Sequence, residues 1–374
     1  MESRVRRHDF RGSPVPWRVR PRFDEHMTEA RAFFATKLAV EIDPADPEST
    51  PVKHTGLGRF KHENAEVVLA PDGRVVVYMG DDERGEFLYR FVSDGTYTPG
   101  GPTEGLLDEG TLYVARFNDD GSGNWLALDL NDADFAAKVA AAQGEMVGNV
   151  QFDGFENQAD VLLNTRLAAD IAGATPMDRP EWGAVDPSTG EVYMTLTNNS
   201  KRTEDGTEAT LTGDGDNITA LGNGYATAPV NAANPRANNE AGQIIRWREG
   251  SDATAFDWEV FVFGAAASDQ NNLSGLTADN EFASPDGLYF DERGDGQGIL
   301  WIQTDNGYEG VTESTNDQVL AVVPAELERA DGAAAVISGA NQDKLKRFCV
   351  GPNGCEVTGI FPTPDKTALF INIQ

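Results

Sequence analysis

The stretch Pro71-Asp72-Gly73-Arg74-Val75-Val76-Val77-Tyr78-Met79-Gly80-Asp81-Asp82 joins a turn to a short apolar strand that ends in carboxylates. Three later stretches, 186–199, 285–306 and 364–374, repeat this order of turn, apolar strand and polar end. Their strands are rich in β-branched and aromatic residues, and Pro, Asp and Gly are typical of turns. The prolines of the four copies lie at 71, 187, 285 and 364, so the repeat is long and irregular.

Radial blades carrying long insertions would produce such a repeat, so the sequence predicts an all-β chain folded as an incomplete or irregular β-propeller. A large β-sandwich is the alternative. In a propeller, polar residues at equivalent strand ends meet around one channel although they are far apart in the sequence. Two short helices are predicted, at 134–142 with Asp132 or Asp134 as N-cap, and at 158–172. Residues 201–225 are expected to form an inserted loop.

The charge of the chain is strongly negative and unevenly distributed. The 374 residues carry 61 Asp and Glu against 30 Lys and Arg, a formal net charge of −31. This excess argues against nucleic acid or an anionic membrane as a partner, and no apolar run is long enough to span a bilayer. Residues 1–22 nevertheless hold seven arginines. We therefore expect an irregular basic segment at 1–39 and a propeller domain at 40–374. No apolar stretch follows Arg6-Arg7, so a twin-arginine export signal is not expected.

Several common catalytic patterns are absent from the sequence: a nucleophile elbow, a phosphate loop, a dinucleotide fingerprint and a His-Glu-x-x-His motif. With four His and two Cys, a zinc site is also not expected. Cys349 and Cys355 flank a Pro-Asn-Gly turn, where a local disulfide and two free thiols are both compatible with the sequence. Any catalysis must therefore rest on dispersed carboxylates and hard cations.

The loop Ala174–Gly183 is the first candidate for chemistry. Pro180 is expected to hold Arg179 in extended backbone, which would point Arg179 and Glu181 to the same side. A surface ion pair is the alternative, but a fixed arginine suits bidentate binding of phosphate. Glu63, beside the basic stretch Arg59–His62, is a candidate metal ligand or a solvated side chain. Asp286, Asp305 and Glu356 lie in or beside turns.

Taken together, these residues resemble the PhoX alkaline phosphatases, a family of secreted bacterial β-propeller enzymes. The resemblance covers roughly residues 40–374, and the Asp178–Trp182 block is its most specific part. The matching segments follow one another in order: Val40–Pro44, Gly58–Glu63, Val77–Asp82, Met177–Trp182, Leu196–Asn199, Asn234–Asn239, Ser284–Gly287, Trp301–Asp305 and Glu356–Gly359.

The resemblance implies hydrolysis of small-molecule phosphate monoesters at a cluster of Ca²⁺ and Fe³⁺, by a chain expected to be a monomer. Arg179 would bind the phosphoryl group. Glu63, Glu181 and Asp286 would bind metal, with Asp305 and Glu356 as weaker candidates. The cations would neutralise the phosphoryl oxygens and activate the nucleophile.

This sequence departs from the family at both ends. The family has an upstream blade whose cysteine thiolate binds iron, preceded by an export signal, and neither is found here. Cys349 and Cys355 lie in a different region from that thiolate. The family also continues beyond the position of Gln374, and the apolar stretch Leu369–Ile373 brings this chain to its end inside a predicted strand. We therefore expect a propeller that lacks its first blade and closing strand, with reduced activity.

Two other functions fit a propeller of this kind. A calcium-dependent propeller that hydrolyses lactones or esters would need a metal site but no arginine that binds phosphate. A non-catalytic scaffold would bind a sugar or a protein through its loops.

Overall fold

The computed structural model describes residues 37–43, 46, 48–147, 150–206, 228–251, 253–294, 298–327 and 335–374. Most of residues 1–39 and of the expected insertion at 201–225 lie outside this part. The described strands are β1 Ala39–Glu41, β2 Val52–His54, β3 Glu66–Leu69, β4 Arg74–Gly80, β5 Leu88–Thr96, β6 Gly110–Phe117, β7 Ser122–Ala127, β8 Met146–Val147, β9 Val150–Gln151, β10 Pro180–Val185, β11 Glu191–Leu196, β12 Gln243–Glu249, β13 Ala255–Phe263, β14 Pro285–Glu292, β15 Gly298–Thr304, β16 Gln318–Val322, β17 Lys346–Val350, β18 Val357–Pro362 and β19 Leu369–Ile373. The α-helices are α1 Ala133–Ala142, α2 Gln158–Leu163, α3 Thr165–Ala172 and α4 Glu309–Thr312, and short 3₁₀ helices occur at Thr55–Leu57, Pro324–Glu326 and Gln342–Lys344.

The strands form successive antiparallel sheets in a propeller-like arrangement. Blade one comprises β3 to β7, blade two β10 to β13, blade three β14 to β17, and blade four the hairpin β18–β19. A short β7–β13 pairing joins the outer edges of blades one and two into a nearly closed nine-stranded sheet. At the inner edge, β10 contacts β3, β4 and β14, and β14 contacts β18. The first strands of the four blades are therefore neighbours, as the propeller prediction requires.

The alternation of side chains along each strand explains why the blades stack. Val75, Val77 and Met79 face a core shared with helices α1 to α3, whereas Val76 and Tyr78 face the core between blades one and two. The same alternation continues in the later blades. Blades two and three enclose a core that includes Tyr193, Ile244, Leu300 and Leu320, and blades three and four enclose Trp301, Val319, Val357 and Ile360. Strands with an apolar residue on both faces can be buried only between two layers, which is why these runs are almost continuously hydrophobic.

The predicted helices are confirmed, with one correction. Helix α1 begins after Asp132, whose side chain accepts a hydrogen bond from the backbone N–H of Phe135. The predicted single helix at 158–172 is interrupted at Asn164 and forms α2 and α3. Gly173 ends α3 in the left-handed conformation expected of a C-cap glycine.

One of the four turn motifs was also interpreted wrongly. Pro285-Asp286-Gly287 was expected to be a turn ahead of a strand, but it begins β14 itself. The Pro, Asp and Gly residues therefore form a turn ahead of the strand in only some copies of the repeat. None of the helices in the described part of the chain is long and apolar enough to cross a membrane.

A buried ionisable cluster lies between blade one and helix α3. Arg166 binds Asp81 through two hydrogen bonds of 2.6 and 2.5 Å, and Glu86 lies 3.5 Å from its Nε. Glu86 is completely buried, and neither of its carboxyl oxygens has a hydrogen-bond partner in the structure. Burial is the main reason that the pKa of Glu86 is raised to about 8, and the charges of Asp81 and Glu83 add to this effect. Glu86 is therefore mostly protonated at neutral pH.

We expect Glu86→Gln to stabilise the protein at pH 9 by about 1–3 kcal/mol and to change little at pH 5. A carboxyl group whose pKa is raised by folding contributes stability below its unfolded pKa and loses it as pH rises through 8. Glutamine has nearly the shape of the protonated acid and does not ionise. Denaturant unfolding at pH 5 and pH 9 measures the effect, with the exposed Glu313→Gln as control. An equal change at both pH values would contradict this account of Glu86.

Candidate functional site

The candidate site forms where the first strands of the four blades begin. Glu181 and Asp286 are the second residues of β10 and β14, Glu356 immediately precedes β18, and Glu63 precedes β3 by three residues. In β10, β14 and β18 the pairing with the next strand shifts register at this end. Such bulges bend a strand and redirect a side chain. Each blade therefore supplies one carboxylate from an equivalent position.

Arg179 occupies the turn that leads into β10. Its φ is +54°, so the backbone is in the left-handed region, and the prediction of an extended Arg179 was wrong. Ser284, which precedes Pro285 in blade three, has the same kind of backbone with φ +49°. A non-glycine residue in this region is strained by roughly 1–3 kcal/mol and needs support from its surroundings. The carbonyl of Arg179 accepts a hydrogen bond of 3.0 Å from the N–H of Thr197, which contributes to that support.

The Arg179 guanidinium is held by two carboxylates. Its Nε and Nη2 donate to the two oxygens of Asp82 at 2.7 and 3.1 Å, and Nη2 lies 2.9 Å from Glu181. Asp82 follows β4 by two residues, in the carboxylate end of the stretch Pro71–Asp82, and it was not among the predicted site residues. Its position at the end of the second strand of its blade is the signal that could have identified it. Nη1 of Arg179 has no hydrogen bond within the described residues, and the side chain is 22% exposed.

The remaining carboxyl groups form a chain that leads away from Arg179. Glu181 and Asp286 lie close enough for their charges to influence each other, and so do Asp286 and Glu356. Burial is the largest cause of the raised pKa of each, followed by the charges of neighbouring acids. The pKa of Asp286 is raised to about 7, that of Glu356 is raised, and that of Glu181 lies well above its usual value.

Glu63 and Asp305 complete this group at its more open side. Both side chains are exposed overall, while the Glu63 carboxyl itself is partly surrounded by protein. Burial of that group, together with the charges of Asp82, Glu356 and Asp305, raises its pKa. The five carboxylates named from the sequence are therefore brought into one neighbourhood around Arg179. That each of them ligates a metal stays a prediction.

Hydroxyl groups of blade two fix the position of Asp286. Thr195 Oγ1 donates to the backbone carbonyl of Asp286 at 2.8 Å, and Thr197 Oγ1 donates to that of Pro285 at 2.8 Å. Thr195 Oγ1 also accepts a hydrogen bond of 2.9 Å from the N–H of Trp182. Strand β11 and the residue that follows it, Thr197, therefore tie blade two to the start of β14.

Asp178 anchors the Arg179 turn in a buried polar network that the sequence did not reveal. Its carboxylate accepts hydrogen bonds from Arg202 Nε at 2.6 Å and Asn239 Nδ2 at 2.9 Å, and its N–H donates to Asn234 Oδ1. On the other side, Gly80 packs directly against the backbone of Pro180, with no room for even a methyl group. These contacts make the Arg179 turn rigid.

Within the described residues, the arrangement places the Arg179 guanidinium among several acids whose pKa values are raised. Hard cations such as Ca²⁺ bind carboxylate oxygens of this kind. In the described part of the chain, however, no three His, Cys, Asp or Glu side chains are arranged to hold one metal ion together. Cys349 and Cys355 are free thiols that pack beside the apolar cluster of Trp301 and Val357. Neither cysteine takes the place of the thiolate that the resemblance assigns to iron.

Comparison with known proteins places this geometry in a family. The model of the family described as alkaline phosphatase PhoX matches residues 11–374. The chain belongs to the PhoX alkaline phosphatase family. The structure of Pseudomonas fluorescens PhoX in complex with vanadate, a transition state analogue, is 42% identical to this chain with a TM-score of 0.70. The match covers 90% of this chain and 52% of that PhoX chain, so this chain spans about half its length. No curated protein matches the chain.

Proposed function

We propose that the chain takes part in metal-dependent hydrolysis of phosphate monoesters. The observation that carries this proposal is the convergence of one carboxylate from each of four blades on the neighbourhood of Arg179. Membership of the PhoX family supports it, as does the vanadate complex of the Pseudomonas fluorescens relative. These observations favour a phosphatase over the lactonase and scaffold alternatives.

The donor set fits hard cations. Burial and mutual repulsion oppose the ionisation of Glu181, Asp286 and Glu356, and they raise the pKa of each carboxyl group. A divalent cation removes that repulsion, and oxygen ligands suit Ca²⁺. These three residues, with Glu63 and more peripherally Asp305, are the carboxylates that would hold calcium, although in the described part of the chain no three of them already surround one point. We do not assign an iron site: Cys355 precedes Glu356 in the chain, but burial and the neighbouring acids raise the pKa of its thiol, and it packs beside the apolar cluster of Trp301 and Val357.

Arg179 would bind and orient the phosphoryl group. Asp82 and Glu181 occupy its Nε and Nη2, which leaves Nη1 to donate to a phosphoryl oxygen. Those carboxylates also raise the pKa of Arg179, so it stays charged at alkaline pH. The rigid turn around Asp178 and Gly80 holds the guanidinium in place before substrate arrives, which is the condition for strong electrostatic stabilisation. Bound cations would supply neutralisation of phosphoryl charge and a more acidic attacking water.

The test is hydrolysis of p-nitrophenyl phosphate by the purified chain, with and without chelator, followed by readdition of Ca²⁺. We expect turnover that EDTA abolishes, Ca²⁺ restores and orthovanadate inhibits. Parallel assays with p-nitrophenyl acetate and a lactone test the second alternative. Folded, calcium-bound protein that turns over none of these substrates would overturn the proposal. Because relatives of this family are exported, we also propose that the substrates are extracellular phosphate esters.

A further inference from the structure

The start of helix α3 is joined to blade one by two neighbouring side chains. Thr165 Oγ1 accepts a hydrogen bond of 2.9 Å from the N–H of Arg59. Arg166 is 5% exposed, and its Nε and Nη2 donate to the two oxygens of Asp81, a completely buried carboxylate. A bidentate pair of this kind fixes the direction of both side chains as well as the distance between them. Helix α3 is therefore held rigidly against the end of β4.

Two further acids face Arg166, but Asp81 is the one that its planar fork binds. Glu86 lies 3.5 Å from the Arg166 Nε, and burial raises its pKa to about 8, so it is mostly protonated at neutral pH. Burial and the charge of Glu86 raise the pKa of Asp170 well above its usual value, which likewise favours its neutral form. The guanidinium is therefore fully engaged in holding one carboxylate in place.

Asp81 in turn holds the segment that leads to Glu63. Its Oδ1 accepts a hydrogen bond of 3.1 Å from the N–H of Lys61. The N–H of the next residue, Asp82, donates to the carbonyl of Lys61 at 3.0 Å. Residues 61–63 and 81–83 therefore lie side by side, and both are fixed to the carboxylate that Arg166 binds.

Asp82 extends this connection to Arg179. Both oxygens of Asp82 bind the Arg179 guanidinium, at 2.7 and 3.1 Å. The same loop is joined to the chain just before Arg179, because the N–H of Met177 donates to the carbonyl of Glu86 at 2.9 Å. A shift of Asp81 would therefore move the carboxylate that aims the guanidinium. Displacement of a positioned group by about 1 Å can lower a reaction rate about 10²-fold.

We propose that Arg166 is a positioning residue for the phosphatase site. From helix α3 it holds Asp81, and so sets where Asp82 stands. Asp82 in turn fixes the direction in which Nη1 of Arg179 donates. Whereas Asp178 and Gly80 support the backbone of the Arg179 turn, Arg166 supports the carboxylate that orients its side chain. The inference rests on the proposed function of Arg179.

The test is Arg166→Lys, which keeps the charge but not the fork that binds both oxygens of Asp81. We expect kcat/KM for p-nitrophenyl phosphate to fall about tenfold, and inhibition by orthovanadate to weaken by the same factor. Because Arg166 acts through Arg179, the change should cause no further loss when it is added to Arg179→Ala. Asp81→Asn keeps an acceptor for the N–H of Lys61 and should reproduce the effect if Arg166→Lys does not fold.

Arg246→Lys is the matched control. Arg246 is 2% exposed and pairs with Glu259 of β13, away from the candidate site. This change should lower Tm about as much as Arg166→Lys and leave phosphatase activity unchanged. Loss of activity in proportion to Tm in both variants would reduce Arg166 to a stabilising role and overturn the proposal.

Hydrogen exchange followed by mass spectrometry judges the positioning without any turnover. Peptides that contain residues 61–63 and 81–83 should exchange at least tenfold faster in Arg166→Lys than in wild-type protein, and not in Arg246→Lys. Unchanged exchange there would overturn the proposal, as would a full additional loss of activity on top of Arg179→Ala. If wild-type protein hydrolysed no phosphate ester, the proposed function would fail, and exchange would still decide whether Arg166 holds Asp82 in place.

Discussion

Arg179→Ala is expected to lower the turnover of p-nitrophenyl phosphate by about 10²–10³-fold, the usual loss when one preorganised donor to transition-state charge is removed. Among the described residues, Arg179 is the cation paired with Asp82 and Glu181. Alanine therefore removes both the donor to phosphate and the charge that attracts it. The loss should appear mainly in kcat/KM, and inhibition by orthovanadate should weaken in parallel.

Arg179→Lys separates charge from geometry. Lysine keeps the positive charge but not the planar fork that binds the two oxygens of Asp82 while leaving Nη1 for substrate. We expect lysine to recover only part of the activity. Arg248→Ala is the matched control, because Arg248 pairs with Glu191 at the opposite end of the same blade. Wild-type phosphatase activity in Arg179→Ala, with folding shown by circular dichroism, would remove Arg179 from the site.

The same variant distinguishes the proposed phosphatase from a lactonase. Hydrolysis of a lactone needs the cations but no guanidinium that binds phosphate. If lactone turnover were present and unaffected by Arg179→Ala, the second alternative would be correct for this chain.

The sequence predicted the arrangement of the blades more accurately than it predicted the local backbone conformation. Continuous apolar runs such as Val75–Met79 indicate strands buried on both faces, and turn residues mark where several strands begin, so the blades could be anticipated. The split of the helix at Asn164 could not, because Ala and Leu on both sides keep the helical pattern intact. The positive φ of Arg179 was also hidden. It is imposed by tertiary contacts of Asp178 and Gly80, which oppose the local preference of a residue before proline.

The residues of the candidate site were also only partly predictable from the sequence. Glu63, Glu181, Asp286, Asp305 and Glu356 were chosen from segment resemblance. The structure brings the first three and Glu356 together because they lie at the start of the first strand of each blade, whereas Asp305 follows the second strand of blade three. Asp82 was passed over because an isolated acidic run at a strand end is usually a solvated turn. Only the packing of blade one against β10 shows that it faces Arg179. The role of Thr195 and Thr197 depends on contacts between blades, which no local pattern contains.

Glu181→Gln combined with Asp286→Asn is expected to stabilise the metal-free protein at pH 8 and to abolish its stabilisation by Ca²⁺. Burial and mutual repulsion raise the pKa of both carboxyl groups, that of Asp286 to about 7. Such groups contribute stability below their unfolded pKa, near 4, and lose it as pH rises through the folded value. For Asp286 the loss amounts to about 4 kcal/mol at most, and the neutral amides avoid it.

Calcium should reverse the order of stability of the wild-type protein and the double variant. At a concentration about 100 times its Kd, a cation that binds only the folded state stabilises it by about 2.7 kcal/mol. Wild-type protein should therefore gain several degrees in Tm at pH 8, and the double variant should gain none. Glu292→Gln, an exposed change at the far end of β14, should keep the full response to calcium.

The two halves of this experiment test different statements. Higher Tm of the metal-free variant at pH 8 but not at pH 5 would show that the carboxyl groups repel one another in the folded protein. Loss of the calcium response would show that the same groups hold the cation. Equal stabilisation of both proteins by calcium would place the ion elsewhere in the chain. By the proposed function, such a site would weaken the empty protein in return for binding metal and substrate, because a bound cation would relieve the repulsion among its carboxylates.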